Sequence, residues 1–143
     1  MRKVWGITLL VAAGVELFLG PPPVWAQACK DETSMVDGSK QALTEFLETV
    51  KKENLADFES MNHQKSAVNR LGLHSDMLGE LASCLDKAAQ DAAASKDAAA
   101  AAKTQHDATV KLQDKVKQQQ GAIKDAKTSK DAKALVEKLD LAP

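Results

Sequence analysis

"TVKKENLADFES", residues 49–60, decides the fold, because it holds the end of one helix and the start of another. Lys51 and Lys52 put cations where a helix C-terminus favours them. Asn54 follows as a good N-cap, and Asp57 and Glu59 place anions in the next turn. The stretch therefore predicts a helix boundary at residues 52–54. Upstream, Leu43, Phe46, Leu47 and Val50 recur at helical spacing and form one apolar stripe. The first helix is expected to run to Lys52, starting at a Ser39 cap or earlier, near Asp31. Downstream, a second helix starts near Leu55, with Leu55, Phe58, Met61, Val68, Leu71, Leu78, Leu81 and Leu85 on its apolar face. Gly72 either ends it, with Leu73 and His74 in a turn, or is crossed at a cost of about 1 kcal/mol relative to alanine. The rhythm of Val68, Leu71, Ser75, Leu78, Ala82 and Leu85 favours continuity.

The two cysteines fit the same boundary. Cys29 and Cys84 have their midpoint between residues 56 and 57, so an antiparallel hairpin turning near residue 54 brings them side by side. Pairing is the default in an oxidising compartment. A disulfide closing such a loop contributes roughly 3–4 kcal/mol in the chain-entropy model. Residues 27–85 are thus expected as a disulfide-linked helical hairpin. The rival role for Cys29 is lipidation, which would tether the chain to a membrane, although Gln27 departs from the usual lipoprotein pattern.

Residues 1–26 point to an oxidising compartment. Arg2 and Lys3 precede the apolar run "VWGITLLVAAGV", Pro21–Pro23 stops it, and Val24-Trp25-Ala26 offers a cleavage site. That is the pattern of a secretory signal peptide. The run is short for a membrane span and Glu16 interrupts it. The chain is expected to be secreted or periplasmic, with no transmembrane segment once the leader is removed. Trp5 and Trp25 leave with the leader, there is no tyrosine, and only Phe46 and Phe58 remain as aromatics. Little is left for the bulky core of a compact enzyme.

Beyond Leu85 the composition changes. From Asp86 to Thr109 there is no Val, Ile, Leu, Met or Phe, and "KDAAAAAK" at 96–103 is typical. Alanine is the best helix former, so this span predicts about 36 Å of helix. It either stands off as a spacer or lies against a close partner. Thr109, Leu112, Val116, Gln119, Ile123 and Ala126 then return at heptad-like spacing. Leu112, Val116 and Ile123 are the expected interaction seam, toward an earlier helix of the chain or a second copy. Gln118–Gly121 suggests a break, and Thr128 or Ser129 caps a last helix with Asp131 in its first turn. Residues 86–126 are expected as an Ala/Lys-rich helical extension and 127–143 as a short C-terminal helix and tail. No proline lies between Pro23 and Pro143, and no stretch alternates as a strand does. The fold class is all-α: an elongated helical hairpin or coiled-coil-like bundle. The Lys-Asp-Ala units at 96–98, 124–126 and 130–132 give the second half a compositional resemblance to the helices of late-embryogenesis-abundant stress proteins. That resemblance implies a protective role.

Charge and chemistry narrow the function. Residues 31–60 carry eight acids against three lysines, whereas residues 111–138 carry eight lysines against four acids. A basic tail suits an anionic envelope surface. Nucleic acid is disfavoured, because no aromatics are interleaved for stacking. His63, His74 and His106 are not spaced to share a metal. His74 beside Ser75 and Asp76 reads as a turn or cap rather than a triad. No phosphate loop, CxxC, HExxH or GxSxG motif occurs. No catalytic residue, metal or cofactor is expected. The expected role is a non-enzymatic adaptor or spacer of the cell envelope that binds a protein partner or itself, and the alternative is a stress-protective, chaperone-like protein.

Overall fold

The computed structural model describes residues 24–91 and 93–143. Six helices follow one another: α1 (Val24–Ala28), α2 (Lys30–Lys52), α3 (Leu55–Ser60), α4 (His63–Gln90), α5 (Lys96–Asp125) and α6 (Ser129–Glu137). The all-α class holds, and the described residues contain no strand. The signal-peptide reading of residues 1–26 lies outside the described residues apart from Val24–Ala26, which open α1. None of the described helices is long and apolar enough to cross a membrane.

Local chemistry sets each boundary. The helical ladder crosses Cys29, whose N–H reaches the Trp25 carbonyl and whose own carbonyl receives the Thr33 N–H. α2 opens with Asp31 and Glu32 and closes with Lys51 and Lys52, which suits its dipole at both ends. Glu53 is extended, and the Asn54 side chain accepts the Asp57 N–H at 2.9 Å to start α3. The second helix of the hairpin is broken once more than the sequence suggested. Asn62 adopts φ 53°, a left-handed conformation that asparagine tolerates, and separates α3 from α4. α4 then runs through Gly72 and Gly79 without a break.

The Ala-rich span also breaks where no bulky residue marks it. Asp91 accepts the Ala93 N–H, and Ser95 accepts the Ala98 N–H to cap α5. α5 does not stand off as an extension. It turns back and lies antiparallel along α4, with Ala102, Thr109, Val116 and Ile123 buried at seven-residue intervals. Small side chains let the two backbones approach, which a spacer would not need. α5 passes Gly121 intact, so the suggested break at Gln118–Gly121 is absent. Thr128 caps α6 through the Asp131 N–H, and Ala132 and Val136 face inward.

α4 is the axis of the bundle: α2 packs on one side of it, α5 on another, and α6 touches α2 through α5. The core joins Leu43, Val50, Phe58, Leu71, Leu78, Leu85, Val116, Ile123 and Val136. It is thin in aromatics, and polar contacts supplement it. Gln113 donates to the Ser75 carbonyl and Gln120 to the Val68 carbonyl, each at 3.0 Å. Each amide sits over a glycine, Gly79 and Gly72 respectively, where a Cβ would come within 2.8 and 2.9 Å of its nitrogen. The two glutamines and the two glycines share a seven-residue spacing, so the lock repeats along the interface.

Candidate functional site

α2 and α5 both rest on α4 and leave a groove between them. α6 and the C-terminal tail fill its lower part. Gln119, expected as a polar member of the seam, instead clamps this tail: it accepts the Asp140 N–H at 2.8 Å and donates to the Asp140 carbonyl at 3.0 Å. Lys115 adds an ion pair to Asp140 and a bond to the Ala142 carbonyl. Those hydrogen bonds hold the Asp140 carboxyl below the usual carboxylate range, the Lys115 bond first and the Ala142 N–H second.

Beyond Pro143 the groove opens into a cavity of about 200 Å³. Its floor is His74 with Leu78 and Leu81 from α4, and Asp37 and Lys40 from α2 stand among its walls. His74 is 0% exposed. Its place corrects the expectation of a turn or cap: because α4 runs through Gly72, residue 74 falls on the inward stripe between Leu71 and Leu78. Its Nδ1 lies 2.7 Å from the Ser39 hydroxyl, which is also 2.9 Å from the Val36 carbonyl. The hydroxyl has one proton. We assign that proton to Val36, so that His74 donates from Nδ1 and keeps a bare Nε2. Among the described residues Nε2 has no partner, nor does the buried Ser75 hydroxyl. Burial pushes the His74 pKa down, and the nearby Lys40 charge adds to the effect. The Ser39–His74 contact is the nearest approach to a nucleophile–base pair. Among the described residues no carboxylate partners Nε2, so the contact lacks the third group that orients the base in such pairs.

A second histidine sits at the other end of the α2–α4 seam. His63 Nε2 is 2.8 Å from a Glu53 carboxylate oxygen, and its ring meets Phe46 and Phe58 edge-on at 5.3 and 5.8 Å. Arg70 covers the Phe46 face at 5.1 Å. His106 lies apart on α5, 3.0 Å from Asp107. The three histidines therefore stand at three separate places. Neither the Ser39–His74 nor the Glu53–His63 contact was named from sequence, yet for the first the signal was present. Residues 39 and 74 are symmetric about the same midpoint as 29 and 84.

The expected site residues are placed as follows. Cys29 and Cys84 form a disulfide with Cα atoms 5.8 Å apart, the pairing expected of the two cysteines. Val116 and Ile123 are buried and Leu112 half-buried, all against the chain's own core. Of the two partners open to that seam, an earlier helix of the same chain occupies it. The basic tail is partly neutralised, since Lys115 and Lys133 pair with Asp140 and Glu137, while Lys111, Lys117, Lys124, Lys127 and Lys130 remain exposed. No family model matches the chain, and neither the curated proteins nor the solved structures yield a match.

Proposed function

We propose that this protein is a small disulfide-stapled helical bundle of an oxidising, extracytoplasmic compartment, and that it serves as a non-enzymatic interaction or spacer module of the cell envelope. The observation that carries this reading is the Cys29–Cys84 bond, which ties the start of α2 to α4. Such bonds persist where thiols are not kept reduced. The leader-like residues 1–26 agree with it. Contact with a partner falls to the outer faces, because the α5 seam is occupied within the chain. The exposed lysines of α5 and α6 suit an anionic envelope surface. The stress-protective alternative is weaker, because the helices pack on a core of their own.

The test is made in the native host. Cells are fractionated, and the chain is weighed intact after alkylation with and without reductant. The expected result is a processed chain in the extracytoplasmic fraction that takes up alkylating groups only after reduction. Two freely alkylated thiols, or an unprocessed chain retained in the cytoplasm, refute the compartment. Chemical cross-linking of that fraction is expected to give one defined product with a second protein, and recovery of the chain alone refutes the interaction role.

A further inference from the structure

We infer that the Cys29–Cys84 disulfide is the oxidised form of a metal site, and that the reduced chain binds one divalent zinc-like cation through Cys29, Cys84 and Glu32. The ligand atoms of these three residues lie within 4.8 Å of one another, the one such grouping among the described residues. Their arrangement follows from the fold. Cys29 ends the α1–α2 bend, and Glu32 stands three residues later in the first turn of α2, on the same helical face. Cys84 reaches the pair from α4. Glu32 is half-buried and makes no hydrogen bond or ion pair among the described residues, so its carboxylate is uncommitted.

The chemistry selects the cation. Two thiolates favour zinc and other borderline or soft metals over magnesium or calcium, and one carboxylate completes three protein ligands. A fourth, open position would face the Cys84 side, where a cavity of about 430 Å³ borders that residue together with Lys87. Two thiolates and a carboxylate carry three negative charges. The bound divalent cation leaves one, with Lys87 on the same cavity to balance it.

The exchange balances in two steps. A dithiol reductant transfers two electrons and two protons to the protein disulfide and becomes a disulfide itself. The two protein thiols then lose their protons to solvent as the cation forms two metal–sulfur bonds. When a disulfide of the same oxidoreductase class takes back the two electrons and becomes a dithiol, the protein disulfide re-forms and the cation is released. The reduced state exists before the bond first forms and whenever a dithiol oxidoreductase opens it. This inference concerns the reduced chain, whereas the proposed function rests on the oxidised one, so each can fail without the other.

The experiment uses the full chain reduced with a water-soluble phosphine and titrated with cobalt(II), then with zinc. The expected result is a one-to-one complex with the absorption of four-coordinate, thiolate-bound cobalt, which zinc displaces. The oxidised chain should give none. Loss of an outer-shell partner alone commonly costs about 10–100-fold in metal affinity. Glu32→Gln, which keeps both cysteines and the disulfide-bonded fold, is therefore expected to weaken cobalt binding at least tenfold. Cys84→Ser should abolish the thiolate absorption. No thiolate–cobalt absorption in the reduced chain, whether folded or not, overturns the inference. So does an unchanged affinity in Glu32→Gln.

Discussion

Gly79→Ala should change stability by different amounts depending on a residue 34 positions further along the chain. In an ordinary helix interior this substitution stabilises by about 0.5–1 kcal/mol, because glycine loses more backbone entropy on folding. Here the new Cβ would stand 2.8 Å from the Gln113 amide nitrogen, closer than real contacts allow. The amide, at the end of a flexible side chain, must shift, and its 3.0 Å bond to the Ser75 carbonyl is lengthened or lost. A typical net hydrogen bond is worth about 0.5–1.5 kcal/mol, so at its mean of about 1 kcal/mol the loss offsets the helical gain. In the parent chain Gly79→Ala should therefore be near neutral, between about 0.5 kcal/mol stabilising and about 1 kcal/mol destabilising. In a Gln113→Ala background nothing is displaced, and the same change should stabilise by about 0.5–1 kcal/mol. The assay is urea denaturation of the four members of the cycle, followed by far-UV circular dichroism with the disulfide intact. The predicted coupling is about 1 kcal/mol, well above the roughly 0.3–0.5 kcal/mol scatter of independent sites. Equal stabilisation of both backgrounds would show that the amide does not sit over the glycine. Gly72 with Gln120 offers a replicate in the same protein.

Three further outcomes follow from the same structure. Because burial lowers the folded-state pKa of His74, the unfolded chain takes up its proton first as pH falls, so stability should decline below about pH 6.5 and level off once the folded-state value is passed. His74→Leu should flatten that part of the profile of urea midpoint against pH, and an unchanged slope would place the titration elsewhere. Ile123→Ala, at a position 1% exposed, should cost about 2–5 kcal/mol, whereas Leu73→Ala, at 55% exposed, should stay within about 0.5 kcal/mol; equal costs would mean that α5 does not pack as described. Replacing both cysteines by serine should cost roughly 3–4 kcal/mol in the chain-entropy model, given a separation of 55 residues, and a loss under about 1 kcal/mol would indicate a denatured state compact without the bond.

The hairpin was legible because its signals are local and redundant. Cations at Lys51 and Lys52, the Asn54 cap and the symmetric cysteines all name one boundary. The Asn62 break was not legible, since a left-handed residue leaves no periodic trace and the apolar stripe continues across it. The turn at 91–95 was obscured for a different reason. Alanine favours helix so uniformly that its propensity hides the break between Gln90 and Lys96, although the Ser95 cap and Asp97 were there to be read. The direction of α5 depended on small residues and glycines, whose effect is to admit a neighbour rather than to form a stripe. His74 was misplaced because Gly72 was weighed as a helix stop, whereas its role is to admit the Gln120 side chain.

The disulfide divides the chain unequally. It closes a ring around α2, α3 and α4, while α5 and α6 hang from that ring by the segment at 91–95. A protease cutting between Lys52 and Leu55 would leave every fragment covalently tethered, but one cutting at the later turn would leave α5 and α6 held only by packing and glutamine bonds. The molecule thus has one scission that it absorbs and one that can shed a third of its length, with the ring left behind to mark where the cut was made.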